Sequence, residues 1–342
     1  MTNAGSAVPP PVGVAEGSAF VVPCGGLLAV HAHPDDETLA TGALLATWAA
    51  AGLPVTVVTC TRGERGETIG DALAHLEGDG AALAAHREGE LVAAVRALGV
   101  GEQVFLDRLP LPSDGLAPGA TPHYEDSGMA WVEGTSGVAR ASGTVPARAF
   151  ERVPVDEAAA RLAALVLRER PSAVVTYEPG GGYGHPDHVR AHAVTVRALE
   201  LAAPQHRPRH VWWRVETPDG HRAALEAVRR RATTAGGPGH RQQLHLPVGT
   251  QPSPSQVSAT LSVDVVVDLA PVLDTVVAAL RAHRSQVQAV EVWAEGGTDG
   301  GTVLGTYALS NGELAALPRY ERYHEVMDGG AGVEVPTPRG DR

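Results

Sequence analysis

The sequence predicts an α/β fold: a Rossmann-like, doubly wound, mostly parallel sheet with helices on both faces. Three observations predict it. Short, continuously apolar runs recur along the chain, as expected for strands buried on both sides. They alternate with amphipathic segments of helical period, several ended by glycine. Polar turns rich in histidine and aspartate follow two of the apolar runs, and in such folds ligands bind beyond the carboxyl ends of the strands.

Taken in order, "GGLLAV" (Gly25 to Val30) is the first buried strand. "TLATGALLATWAAAG" reads as a helix stopped at Gly52. "PVTVVTCT" is a second strand, rich in β-branched residues. "AALAAHREGELVAAVRALGV" is an amphipathic helix ended at Gly99, and "QVFLD" is a third strand. Helix "VDEAAARLAALVLRERP" and strand "SAVVTYEP" restore the alternation after an irregular stretch. Helix "DHVRAHAVTVRALELA", strand "HVWWRVE", strand "LSVDVVVDLAP" and helix "VLDTVVAALRAHRSQV" follow. Residues 1–22 read as a disordered leader without the basic and apolar regions of a signal peptide. One domain is expected over 23–328, with irregular insertions near 109–153 and 233–259 that are rich in Pro, Gly and Ser, and a frayed tail at 329–342.

Composition narrows the function. The 342 residues are 44% hydrophobic, enough for a sizeable core, and carry a formal net charge of −12. Acidic balance argues against nucleic acid or an anionic membrane surface as partner. Two cysteines, Cys24 and Cys60, exclude a disulfide framework and point to the cytoplasm. Oligomeric state is not legible. No run reaches the ~18–20 apolar residues of a membrane-spanning helix.

The chemistry is concentrated in two segments, "VHAHPDDETLATG" from Val30 and "YGHPDHVRAH" from Tyr183. Proline is favoured at the first position of a helix. Pro34 and Pro186 are therefore expected to start helices, with His33 and His185 at the caps. Asp35 and Asp36, or Asp187 and His188, would fall in the first turn. The positive end of the helix dipole stabilises carboxylates and keeps imidazoles neutral. Imidazole nitrogens plus a carboxylate oxygen suit a zinc-type ion, and three protein ligands leave a position for water, whose pKa falls to about 7. A further carboxylate can take the proton of that water. Helix capping alone gives no reason for histidine at both turns.

Other features are read as structural. "EPGGGYG" lacks the spacing of a dinucleotide fingerprint or P-loop, and no G-x-S-x-G elbow occurs. Cys60 ends a strand as a small apolar residue. Arg229 to Arg231 read as the solvated face of a helix, and Trp212 and Trp213 as packing residues.

With "AHPDDE" at Ala32–Glu37 and "HPDH" at His185–His188, the chain resembles the zinc-dependent de-N-acetylases related to the enzyme that deacetylates N-acetylglucosaminyl-phosphatidylinositol. The likeness runs from Gly26 to about Leu201, with a weaker part around "YALSNG". It implies one zinc ion (iron(II) suits the same donors), with His33, Asp36 and His188 as ligands. It further implies Asp35 as general base and His185 as the acid or oxyanion-side partner. Tyr183 would polarise the amide oxygen, and Asp187 would orient His185 or a ligand. "VTCTRGERGETIGD", "HREGEL", "DSGM" and "TYEPGGGYGHPDHVRAH" are similar to the mycothiol-pathway branch, whose substrate is an N-acetylated amino-sugar inositol. That likeness implies Glu67, Arg87, Asp126 and Met129 as substrate-binding. The mycothiol S-conjugate amidase branch is the alternative, with a non-catalytic metal- or sugar-binding protein on the same scaffold as a further one that would not require Asp35, Tyr183 and His185. The amidase branch carries a lysine soon after the first motif and "GGYPHPDH" at the second, where this chain has "TLATGALL" and "GGYGHPDH".

Overall fold

The apolar runs form the central strands of the sheet. The computed structural model describes residues 20–111, 123–131, 139–141, 145–234, 244–246, 258, 260–293 and 301–326. In chain order the elements are β1 (Leu27–His31), α1 (Asp36–Ala50), β2 (Val55–Thr59), α2 (Gly80–Leu98), β3 (Glu102–Phe105), β4 (Met129–Trp131), β5 (Ala139–Ala141), α3 (Val155–Glu169) and β6 (Ala173–Tyr177). Then come α4 (Gly181–Gly184), α5 (Pro186–Ala202), β7 (His210–Val215), α6 (Pro218–Thr234), β8 (Val265–Asp268), α7 (Leu273–Ala282), β9 (Gln288–Val292), β10 (Val303–Ala308), β11 (Leu314–Pro318) and β12 (Tyr320–Glu325).

Seven strands pair in the order β3-β2-β1-β6-β7-β12-β8. The first five are parallel; β12 runs antiparallel to both β7 and β8. Strand pleating sends alternate side chains to opposite faces. Leu27 and Ala29 join Leu44, Trp48, Leu98, Val276 and Leu280 in one core, under α1, α2 and α7. Leu28 and Val30 join Leu162, Val166, Val194 and Ala198 in the other, under α3 and α5. The α/β fold with helices on both faces is therefore as the sequence predicts.

The chain leaves β1 toward β3, then returns to β6 on the other side of β1. That reversal makes the carboxyl ends of β1 and β6 the switch point of the sheet, where a crevice opens. Thr176 Oγ1 donates to the Val30 carbonyl at 3.0 Å, tying the two strands together there.

Helix α1 is broken at Thr41, whose φ of −138° is not helical. The amides after the break are received by a carboxylate from the far end of the chain. Glu321 on β12 accepts from Ala43 N at 2.7 Å and Leu44 N at 3.0 Å, and takes the Tyr323 hydroxyl at 2.6 Å.

Three findings go beyond the sequence reading. β12 sits inside the sheet, and β9, β10 and β11 form a separate antiparallel sheet. Phe20 and Val22, inside the expected leader, pack against the core. Residues 1–19 and the expected tail at 329–342 lie outside the described residues, as does most of 233–259. The irregular 109–153 stretch is described in part and includes the β4–β5 pair. Among the described residues no helix is long and apolar enough to cross a membrane.

Candidate metal centre and active site

Both His-Pro-Asp turns lie at the switch point, but they are built differently. The second follows expectation: His185 is the N-cap of α5, its Nδ1 accepts from Asp187 N at 3.1 Å, and Pro186 is the first helical residue. The first does not. Helix α1 starts at Asp36, Pro34 lies before it, and Asp35 is the N-cap residue with φ of 114°. Such a backbone in a residue other than glycine costs about 1–3 kcal/mol and persists where its surroundings over-determine it. Here they do. Asp35 N donates to Glu37 Oε2 at 3.0 Å, and Arg87, 3% exposed, donates to the carbonyls of Pro34 and Gly63.

The two turns bring His33, Asp36 and His188 together. His33 Nδ1 lies 3.3 Å and His188 Nε2 lies 3.4 Å from the same oxygen, Asp36 Oδ2. His188 Nδ1 donates to the Gly181 carbonyl at 3.1 Å, which fixes the ring so that Nε2 faces Asp36. That Nε2 is buried and has no hydrogen-bond partner among the described residues. An imidazole lone pair and a carboxylate oxygen, shielded from water, need positive charge between them. The donor set and the orphaned nitrogen fit a divalent cation of the zinc class. The ligand atoms of His33, His185 and His188 also lie within 4.8 Å of one another, as do those of His33, Asp126 and Asp187. The latter set is less suited to hold an ion, because the oxygens of Asp126 and Asp187 already receive amides. Asp126 takes Arg65 N and Gly128 N, and Asp187 takes Ser127 N.

Asp187 is fully buried and orients His33 rather than His185. Its Oδ2 accepts from His33 Nε2 at 3.2 Å, and it also receives the Ser127 hydroxyl. A carboxylate on the outer nitrogen of a ligating imidazole fixes its tautomer and raises its basicity. Burial alone would lower the His33 imidazole, but Asp187 and Asp36 outweigh it and hold it well above its usual range. Burial would likewise raise Asp36, yet His188 and His33 keep its carboxyl well below the usual range.

Around this cluster stand groups able to move or donate protons. Asp35 is half-buried, and burial pushes its carboxyl up to about 6, with Arg87 at 3.3 Å pulling the other way. His185 is pushed well below its usual range by burial and by His33 and His188. Its Nδ1 accepts a backbone amide, so the ring proton of the neutral form is on Nε2. Tyr183 packs edge-on to His188 with ring centroids 5.0 Å apart, and burial, then Asp36, hold its phenol protonated. Gly181, with φ of 68°, lets the chain pass so close that a Cβ would stand 2.8 Å from His188 Cβ.

Of the residues expected at the substrate, Glu67 and Met129 fall at the rim, and Asp126 and Arg87 are buried. Glu67 is exposed on the 62–69 loop, Met129 is half-buried on β4, and Asp126 binds that loop to the turn before β4. Arg87 is buried, committed to Asp35 and its turn. An open cleft of about 1130 Å³ is lined by Arg65, Glu67, Glu88, Arg108 and His123, among others. It adjoins the rim rather than the histidine cluster. The buried donors converge at the cluster, apart from that cleft.

A family model described as PIG-L, GlcNAc-PI de-N-acetylase, matches residues 28–199. The chain belongs to this family. Three relatives named 1D-myo-inositol 2-acetamido-2-deoxy-alpha-D-glucopyranoside deacetylase are similar to it. That of Kineococcus radiotolerans is 47% identical over 269 residues, 76% of this chain and 68% of the relative. That of Streptomyces avermitilis is 39% identical over 322 residues, 91% and 95% of the two chains. That of Nocardia farcinica is 42% identical over 324 residues, 92% and 94%.

In this de-N-acetylase the sequence reading missed four residues. Tyr177, at the carboxyl end of β6, stacks on His188 with centroids 4.2 Å apart, and its hydroxyl accepts Ala32 N at 2.9 Å. Its place at the end of a buried strand was a usable signal. Ser127 stands inside "DSGM", between Asp126 and Met129. Glu37, the third carboxylate of the first motif, holds Asp35 N. His283, which lies 2.7 Å from Glu37, carries no local signal at all.

Proposed function

We propose that this chain is a metal-dependent amidohydrolase that removes the acetyl group from 1-O-(2-acetamido-2-deoxy-glucopyranosyl)-myo-inositol, releasing glucosaminyl-inositol and acetate in mycothiol biosynthesis. One observation carries the substrate: similarity to the Streptomyces relative named for that activity spans 95% of its length and 91% of this chain. We assign His33, Asp36 and His188 as the ligands of one ion, zinc or iron(II). When bound, such an ion supplies a Lewis acid for the acetamide carbonyl and acidifies water to a pKa near 7.

The protein's own groups account for the rest. Asp35, held by Arg87 and with its carboxyl raised to about 6, accepts the proton of the attacking water. Nε2–H of His185 and the phenol of Tyr183 are the donors aimed at the carbonyl oxygen as it gains charge. A donor of that kind contributes about 3–4 kcal/mol. His185 would lose the Asp187 amide bond on becoming imidazolium. That favours Asp35 as the group that returns the proton to the leaving amine. Asp187 keeps His33 in place. Glu67, Asp126 and Met129 are assigned to the sugar and its inositol, with the adjoining cleft receiving what extends past the rim, while Arg87, committed to Asp35 and its turn, is assigned to holding that turn. Cys24 and Cys60, both free, support a reducing cytoplasm.

The test is to incubate zinc-loaded protein with N-acetylglucosaminyl-inositol and, in parallel, a mycothiol S-conjugate, and to quantify the free amine. Faster release from the first is expected. Faster release from the conjugate would make the chain an S-conjugate amidase, and release from neither would reject both substrates.

A further inference from the structure

The first turn depends on a residue far outside the segment that matches the family. His283 follows α7 and is completely buried, so it touches neither solvent nor substrate. Its Nε2 lies 2.7 Å from Glu37 Oε1. Glu37, also fully buried, receives the Thr38 hydroxyl on the same oxygen and the backbone amide of Asp35 on the other, at 3.0 Å. Glu37 is one of three consecutive carboxylates, Asp35 to Glu37, and at a buried position it needs a proton donor facing it. His283 is that donor.

His283 is itself held. Val287 N and Gln286 N donate to its carbonyl at 2.7 and 3.0 Å, closing a turn over 283–287. Ser285 in that turn donates through N and Oγ to Glu90 on α2, at 2.8 and 2.6 Å. Gln286 Nε2 donates to the Glu67 carbonyl at 2.9 Å, and Ile69 N donates to the Ser285 carbonyl at 3.0 Å. One turn thus braces both the N-cap residue of α1 and the 62–69 loop at the rim.

We infer that His283 is a positioning residue for the general base: acting through Glu37, it fixes the backbone amide of Asp35 and so holds the φ of 114° that aims the carboxylate. This rests on the assignment of Asp35 made above. The alternative is that His283 merely fills the core.

The experiment compares wild type, His283→Ala and His283→Gln, whose side-chain amide can also donate to Glu37. It measures steady-state kinetics with N-acetylglucosaminyl-inositol, bound zinc, and backbone hydrogen exchange. In His283→Ala, kcat should fall by roughly 10–100-fold, the usual range for a group supporting a catalytic one. KM should stay within about twofold, since binding contacts are untouched, and zinc should remain stoichiometric. Exchange in the peptide spanning 32–38 should quicken about tenfold or more, while β1, β2 and β6 keep their protection. His283→Gln should recover most of kcat. In an Asp35→Asn background, His283→Ala should add no further loss, because the two act as a unit. Unchanged exchange at 32–38, or a loss of kcat shared with general loss of protection and not rescued by glutamine, would overturn the inference. If wild type leaves this substrate intact, the functional reading fails; the exchange comparison still decides whether His283 holds the turn.

Discussion

Two copies of one tripeptide, His-Pro-Asp, end at the same crevice and do opposite jobs. At 185–187 the tripeptide is a helix start that obeys the capping rules. His185 caps, Pro186 begins the helix, and the Asp187 carboxylate turns away from its own motif to grip His33. At 33–35 the rules give way. The helix begins a residue after the motif, and Asp35 is lifted into a conformation that glycine alone adopts freely. In the reading proposed above, the relaxed copy braces His33 through Asp187 and leads into the ligand His188, and the strained copy supplies the ligand His33 and the base Asp35. Identical residue types thus acquire their roles from what surrounds them, here a buried Glu37 and Arg87 beside one turn and Ser127 beside the other.

The largest effect tests whether both turns are needed for one metal. His188→Ala should lose bound zinc, measured by elemental analysis, and with it all measurable turnover; retained stoichiometric zinc would remove the second turn from the ligand set. Next is the base. Asp35→Asn should keep zinc and lose about 10²–10⁴-fold in kcat, and near-normal turnover would make the strain at Asp35 incidental. Smaller is the crossing contact between the turns. Asp187→Asn should weaken zinc affinity by about 10–100-fold in a chelator competition, through His33 rather than His185. An unaltered affinity would leave the two turns independent.

The smallest effect concerns the helix that carries the strained turn. Glu321→Gln puts a donor against an amide of the broken α1 and should cost about 1–3 kcal/mol of stability. Burial raises the Glu321 carboxyl, so the folded protein takes up a proton as pH falls toward the unfolded value of 4.5. Wild-type stability relative to the glutamine variant should therefore rise as pH drops through that window, in paired thermal melts. A constant difference would mean that the carboxyl titrates as it does in the unfolded chain.

The parallel half of the sheet was legible because its strands are buried on both faces and read as unbroken apolar runs. β12, "YERYHE", was not. It lies inside the sheet yet alternates charged and aromatic residues, because Glu321 and Tyr323 are buried by bonding each other and α1. The residues proposed for the metal site announced themselves by repetition at two strand ends. The φ of Asp35 did not, since nothing in "HPDD" distinguishes a helix that starts at Pro34 from one that starts at Asp36. Nor did His283, whose partner Glu37 is 246 positions away.

The grip of Glu321 on the α1 amides, across 278 residues, also bears on how the molecule assembles. As the chain is made, the amides at Ala43 and Leu44 are among the first of the domain to leave the ribosome, and their acceptor is among the last. Until β12 slots between β7 and β8, the second half of α1 lacks its cap. The 28–199 segment that carries both motifs would accordingly emerge unlatched, and a chain interrupted before residue 320 would carry both His-Pro-Asp turns without the strand that holds the second half of α1.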